Sequence, residues 1–264
     1  MSLRNIYYYP VYYGTLLLFA AGGLELCVLS LLFGWLPATE RTERFFQRLI
    51  QRHLVFFHWW CVRTRLVLVR YHGLAQWPEG GRVLVANHPC MIDITCLLAR
   101  LPGALCIFKP AIRRNPVLGA AARRAGYLGS DGGHELVRDA AAKVAAGHTL
   151  VIFPEGTRTP PATGLLPFKP GFALIARRAR APIQLVRITT DSDLLTKGCA
   201  WWRLPRFPAH VVVTGGPLIS TAMTTTTLEL TNEVEAWFRA DPATAVSPAW
   251  TPAPGWVEPA SLPS

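Results

Sequence analysis

Between Arg65 and Phe238, short runs of β-branched and leucine residues alternate with helix-patterned stretches, and this alternation limits the possible folds more than any other feature. The strand-like runs are Arg65–Tyr71, Val83–Ala86, Ala104–Phe108, Thr149–Phe153, Ile183–Ile188 and His210–Thr214. Between them, helical spacing predicts helices over 94–101, 113–125, 134–146, 172–179 and 228–238. Ser130 or Asp131 is expected to cap the third helix, and Gly126 and Gly147 to stop the second and third. Pro78-Glu79-Gly80-Gly81 reads as a turn into the strand before His88. Such a pattern predicts a single α/β domain over 63–240, a mixed sheet flanked by helices. From Asp241 onward, six prolines and no periodicity predict a disordered tail over 241–264.

Ahead of this domain the chain is strongly apolar. Gly14 to Leu36 carries one charge, Glu25, and as a helix it would reach about 34 Å, enough to span a bilayer. Gly22-Gly23 and a carboxylate that would need a partner weigh against a plain span, and a shallow re-entrant helix stays open. Tyr7, Tyr8, Tyr9, Tyr12 and Tyr13 suit a membrane interface. In residues 39–60, Phe46, Leu49, Ile50, His53, Phe57 and Trp60 recur at helical spacing, with Arg41, Arg44, Arg48 and Arg52 on another face. This basic amphipathic helix suits a headgroup layer; the plainer alternative packs it on the domain with a solvated face. Residues 1–62 are therefore expected to form an N-terminal membrane-anchoring helical segment. The arginines that follow it place the rest of the chain on the cytoplasmic side.

Two strand ends carry the chemistry. Val83-Leu84-Val85-Ala86 leads into Asn87-His88-Pro89-Cys90-Met91-Ile92-Asp93, a histidine with a carboxylate five positions on that can hold its ring as a general base. Taken alone, the pair is also common as a packing arrangement. The second run ends in Phe153-Pro154-Glu155-Gly156-Thr157-Arg158, whose backbone amides and guanidinium suit a phosphate. Each motif is followed by a window free of acids. Arg100, Lys109, Arg113, Arg114, Arg123 and Arg124 lie in the first, and Arg158, Lys169, Arg177, Arg178, Arg180 and Arg187 in the second. With a net charge of +11, these windows point to an anionic ligand beside the histidine, or to a basic surface drawn to anionic lipid. They lack the interleaved aromatics of a nucleic-acid surface. The six cysteines show neither CxxC pairing nor metal-like spacing with histidine, so they read as reduced residues and no metal site is expected.

His-x-x-x-x-Asp followed some 60 residues later by Phe-Pro-Glu-Gly-Thr-Arg resembles the glycerolipid acyltransferases of the 1-acylglycerol-3-phosphate acyltransferase type. Lys109, Pro116, Gly119, Phe168-Lys169-x-Gly171 and Ala181-Pro182-Ile183 extend the resemblance over roughly 65–220. The resemblance implies a membrane-associated enzyme that moves a fatty acyl group from an acyl thioester to a lipid hydroxyl, most simply that of a lysophosphatidate. It implies His88 as general base and Asp93 as the group fixing its tautomer. On the substrate side it implies Lys109, Glu155, Gly156 and Arg158, with Asn87 and Thr157 as further candidates and Arg113 as one that can supply the charge of an arginine this chain lacks. No cofactor is expected; the donor would be acyl-CoA or acyl carrier protein, and the partners a lipid acceptor and a membrane surface. The chain departs from the family at Ala111, Gly132 and Leu185, where a Glu, an Arg and a second Pro are usual. Two alternatives stay open: the same chemistry on another hydroxy-lipid or an aryl or polyketide product, and a non-catalytic binder of anionic lipid.

Overall fold

The computed structural model describes residues 3–74, 80–161, 164–221 and 225–240. The expected turn at 78–81 falls partly outside them, and the proline-rich stretch from Asp241 wholly so. Two long helices come first, α1 (Leu3–Leu32) and α2 (Glu40–Arg63). They are followed by β1 (Val67–His72), β2 (Arg82–Ala86), α3 (Asp93–Arg100), β3 (Leu105–Phe108), α4 (Pro110–Arg113), α5 (Gly119–Arg124) and β4 (Leu128–Gly129). The remainder is α6 (Gly133–Ala145), β5 (Thr149–Ile152), α7 (Gly171–Ala179), β6 (Ile183–Thr190), β7 (Ala209–Ile219) and α8 (Thr227–Arg239).

The strands form one mixed sheet in the order β1-β7-β6-β2-β5-β3-β4, in which only the β6–β7 pairing is antiparallel. Every residue of β2 is buried, as a central strand covered on both faces must be. Successive side chains of a strand point to opposite faces, which divides the core in two. Val83, Val85, Leu150, Ile152, Ile183 and Leu185 join Phe172, Ala176, Val144 and Val234 of α6, α7 and α8. Leu84, Ala86, Val151, Val186 and Ile188 face the other way, onto Cys96 and Leu97 of α3 and Leu54 and Cys61 of α2.

Three local expectations change. The helix foreseen over 113–125 is two short ones, because Asn115 precedes Pro116 and is turned out of helical geometry, its Oδ1 accepting from the Val117 amide at 2.8 Å. Neither Ser130 nor Asp131 caps α6, whose N-cap position is Gly132 with no side-chain cap; the Ser130 amide instead donates to the Phe108 carbonyl in extending β4. β7 runs five residues past Thr214, paired to β6 across a bulge.

The N-terminal helices pack against the domain along their length. Phe46, Gln47, Leu54, His58 and Cys61 of α2 are buried. Of the face expected to meet lipid, Phe46 is buried, Ile50 and Phe57 pack on the core, Trp60 donates to Thr15 of α1, and Leu49 and His53 are half-buried. Its outward face interleaves Arg41, Arg44, Arg48 and Arg52 with Phe45, Phe56 and Trp59. α1 has a stretch, Ile6–Leu32, long and apolar enough to cross a membrane by length and composition. Its tyrosines divide: Tyr8 and Tyr12 are buried against Phe207, whereas Tyr7 and Tyr9 face outward. At its far end Arg124 donates to the Phe33 and Leu36 carbonyls. Gly23 allows the close approach between these points, for a Cβ there would stand 2.9 Å from the Val117 carbonyl oxygen. Glu25 finds its partner in His53, at 3.4 Å.

Candidate active site

β2 and β5 run side by side with Val85 opposite Ile152, so the residues that follow them leave the sheet together at its carboxyl edge. Ligands of open α/β sheets bind at that edge. Here it delivers His88 from one strand and Glu155 from the other. The His88 ring stacks on Phe153, centroids 4.1 Å apart and planes 16° from parallel.

Asp93 opens α3 and is completely buried. Its Oδ2 lies 2.9 Å from His88 Nδ1 and accepts from the Cys90 amide at 2.8 Å. Oδ1 accepts from the Cys90 thiol, also at 2.8 Å. A carboxylate on Nδ1 selects the tautomer in which that nitrogen carries the proton, leaving a lone pair on Nε2. Nε2 has no protein partner among the described residues, and the His88 side chain is 17% exposed. Such a ring can take a proton from a hydroxyl placed against it. Burial, and after it the Asp93 charge, pushes the Cys90 thiol well up, so Cys90 is a donor to the carboxylate and not a thiolate.

The second motif is fastened to the first. Glu155 Oε1 accepts from the His88 amide at 3.1 Å and from Thr159 Oγ1 at 2.6 Å, Oε2 accepts from the Leu166 amide at 3.1 Å, and the Thr159 amide donates to the His88 carbonyl at 2.7 Å. Glu155, expected among the substrate residues, is a buried strut between the two turns. Asn87 is likewise engaged internally: its amide extends the β2–β6 ladder, Nδ2 donating to the Ile188 carbonyl and Oδ1 accepting from the Ile188 amide.

Gly156 sits at φ +69°, and a Cβ there would stand 2.9 Å from Lys169 Nζ. That backbone favours glycine, and the end of the lysine lies over it. Lys169 is thus brought onto the motif, which its position in the second basic window hints at but cannot specify. Arg158 donates through Nη1 to the Leu195 and Thr196 carbonyls at 2.6 and 3.1 Å; its Nη2 and Nε have no protein partner among the described residues. Thr157 is half-buried beside it. Lys109 is exposed at the end of β3, two strands from β2 and so about 10 Å along the same edge. Arg113, in α4, is exposed farther on. The segment after β6, with no signature in the sequence, closes the site's other side: the Met91 amide donates to the Leu195 carbonyl, and Cys90 bridges to Thr196. Among the described residues no three His, Cys, Asp or Glu side chains are grouped as a metal site.

Against known proteins, residues 68–189 match the sequence profile of the Acyltransferase family. A 1-acyl-sn-glycerol-3-phosphate acyltransferase of Helicobacter pylori is 32% identical over 122 residues, 44% of this chain and 52% of that protein. One of Cocos nucifera is 36% identical over 109 residues, 38% of this chain and 35% of that protein. The chain thus spans about half the length, or less, of these relatives. The crystal structure of the lysophosphatidate acyltransferase PlsC from Thermotoga maritima superposes with a TM-score of 0.70 at 22% identity, over 89% of this chain and 94% of that one, so the fold is shared. Residues 68–189 thus match the Acyltransferase family, and the chain is similar in sequence to these 1-acyl-sn-glycerol-3-phosphate acyltransferases.

Proposed function

We propose that the chain is a membrane-associated O-acyltransferase that moves a fatty acyl group from an acyl thioester, of coenzyme A or acyl carrier protein, to the free hydroxyl of a lysophosphatidate. The observation that carries this reading is the His88–Asp93 pair, with Nδ1 fixed on a buried carboxylate and Nε2 left to the solvent side. Nε2 takes the acceptor's hydroxyl proton as its oxygen attacks the thioester carbonyl carbon. The tetrahedral intermediate collapses by breaking the carbon–sulfur bond, and the imidazolium returns the proton to the departing sulfur. Asp93 stabilises the imidazolium between these steps. The acceptor's phosphate meets the uncommitted nitrogens of Arg158 and the ammonium of Lys169, with Lys109 and Arg113 farther along the edge. The names of the two relatives support the lysophosphatidate assignment.

One observation favours a different hydroxy-lipid as acceptor. Ala111 and Gly132 stand where lysophosphatidate-acylating members usually carry Glu and Arg. Two of the nearby arginines are already engaged, Arg123 on the Arg113 carbonyl and Arg124 on the end of α1. An acceptor screen with purified protein, an acyl thioester and a thiol-release readout decides between them. Turnover that requires lysophosphatidate supports the leading assignment; turnover only with another hydroxy-lipid sinks it and keeps the chemistry.

Membrane association is supported by the outward Leu17, Leu24, Leu31 and Leu32 of α1 and the arginine-lined outer face of α2. Because the domain grips α1 at both ends, we place this helix along one leaflet, with the domain on the cytoplasmic face.

A further inference from the structure

Between the end of β6 and the start of β7, residues 191–208 form a loop with two different halves. The first half belongs to the site: Leu195 and Thr196 hold Arg158 and flank the turn that carries His88 and Asp93. The second half turns outward and ends on two neighbouring indoles. Trp201 is 59% exposed and Trp202 63% exposed, with their rings edge to face at 5.6 Å.

The base beneath these indoles is held firmly. Tyr12 and Tyr13 of α1 donate through their hydroxyls to the Trp201 and Trp202 carbonyls. Ser192 Oγ donates to the Arg206 carbonyl at 2.8 Å, and the Arg206 amide to Asp193 at 3.1 Å. The rings therefore project from a built platform. Neither ring is buried in the core, and the proposed chemistry does not use them. Lys197, Arg203 and Arg206 of the same loop are exposed, and so are Ile6 and Tyr9 of α1, the Tyr9 ring lying 6.2 Å from that of Tyr13. Indoles favour the headgroup depth of a bilayer, and exposed basic residues favour an anionic leaflet.

We propose that the 191–208 loop is a membrane-docking element, Trp201 and Trp202 seating in the headgroup layer of an anionic bilayer with Lys197, Arg203 and Arg206 on its phosphates. The loop also supplies the carbonyls that hold Arg158, so docking fixes the height of the acceptor site above the lipid plane. This inference rests on the membrane-associated reading above, but its test contains no acyl transfer and stands or falls without it.

The test is sedimentation of the full chain with vesicles of phosphatidylcholine alone, or of equal parts phosphatidylcholine and phosphatidylglycerol. Trp201→Ser with Trp202→Ser weakens binding to the anionic vesicles about tenfold, through loss of buried apolar surface. Arg203→Gln with Arg206→Gln weakens it by about fivefold per charge and leaves binding to phosphatidylcholine unchanged. Chain-brominated lipid quenches part of the wild-type emission, and that part is missing from the double tryptophan variant. Trp202→Tyr, with an unchanged thermal midpoint, keeps most of the binding and separates docking from folding. Equal sedimentation and equal quenching in wild type and the double tryptophan variant overturn the proposal. So does a wild-type dimer that the double variant converts to monomer, which would make the indoles a self-association surface.

Discussion

Asp93 takes three hydrogen bonds within a six-residue turn, from the His88 ring, the Cys90 amide and the Cys90 thiol, and it has no contact with water. A buried carboxylate that loses one donor loses its hold on direction as well as energy. Cys90→Ala is therefore expected to lower kcat about tenfold with little change in KM, and Cys90→Ser, which restores a donor, to recover most of it. Steady-state kinetics of the two variants check this. Glu155 makes the complementary case. Glu155→Gln places an NH2 group against backbone donors, which is expected to cost about 1–3 kcal/mol and to lower the thermal midpoint. A His with an Asp five residues on was legible in the sequence because spacing alone lets the turn close. The Cys90 donor, the internal use of Asn87 and Glu155, and Lys169 lying over Gly156 were not. Each depends on a rotamer or a contact across strands, which spacing does not encode.

At the scale of elements, α2 is pinned to α3 through a fully buried histidine. His58 Nε2 meets Thr95 Oγ1 at 3.1 Å, and burial pushes the ring's pKa down to about 4. A base whose pKa is lower folded than unfolded binds more protons when unfolded. Its contribution to stability is thus complete above about 6.5 and is lost as the pH falls toward 4. That loss amounts to about 3 kcal/mol at most. Urea midpoints measured between pH 7 and pH 4.5 should drop for the wild type and drop less for His58→Gln. Gly23 pins α1 in the same way. Gly23→Val drives a side chain into Val117 and is expected to loosen α1 from α5, read as faster proteolysis in the Phe33–Thr39 connection. Buried strands such as Val83–Ala86 and Thr149–Ile152 were legible because their apolar runs are short, preceded by glycine and followed by proline. β4 and the full length of β7 were not, because strand partners elsewhere in the chain create them. The break at Pro116 is local, and the helical spacing on either side of it masks it.

Over the whole molecule, the sheet places two strand ends side by side. Of the basic windows that follow them, Arg158, Lys169 and Lys109 lie at that edge, whereas Arg124 holds the end of α1 and Arg177 and Arg187 bond to α8. The fold class was readable from alternation, since only a sheet covered on both faces accommodates such a sequence. The seating of α1 and α2 was not, because an apolar helix face fits lipid and protein equally well until its neighbour is known. The most direct measurement is thiol release from an acyl thioester in the presence of lysophosphatidate, by wild type and by His88→Ala at matched thermal midpoints. The expected result is acceptor-dependent release by the wild type and a loss of about 10² or more in the variant. A folded His88→Ala protein that turns over within a few fold of wild type would contradict general-base catalysis by His88.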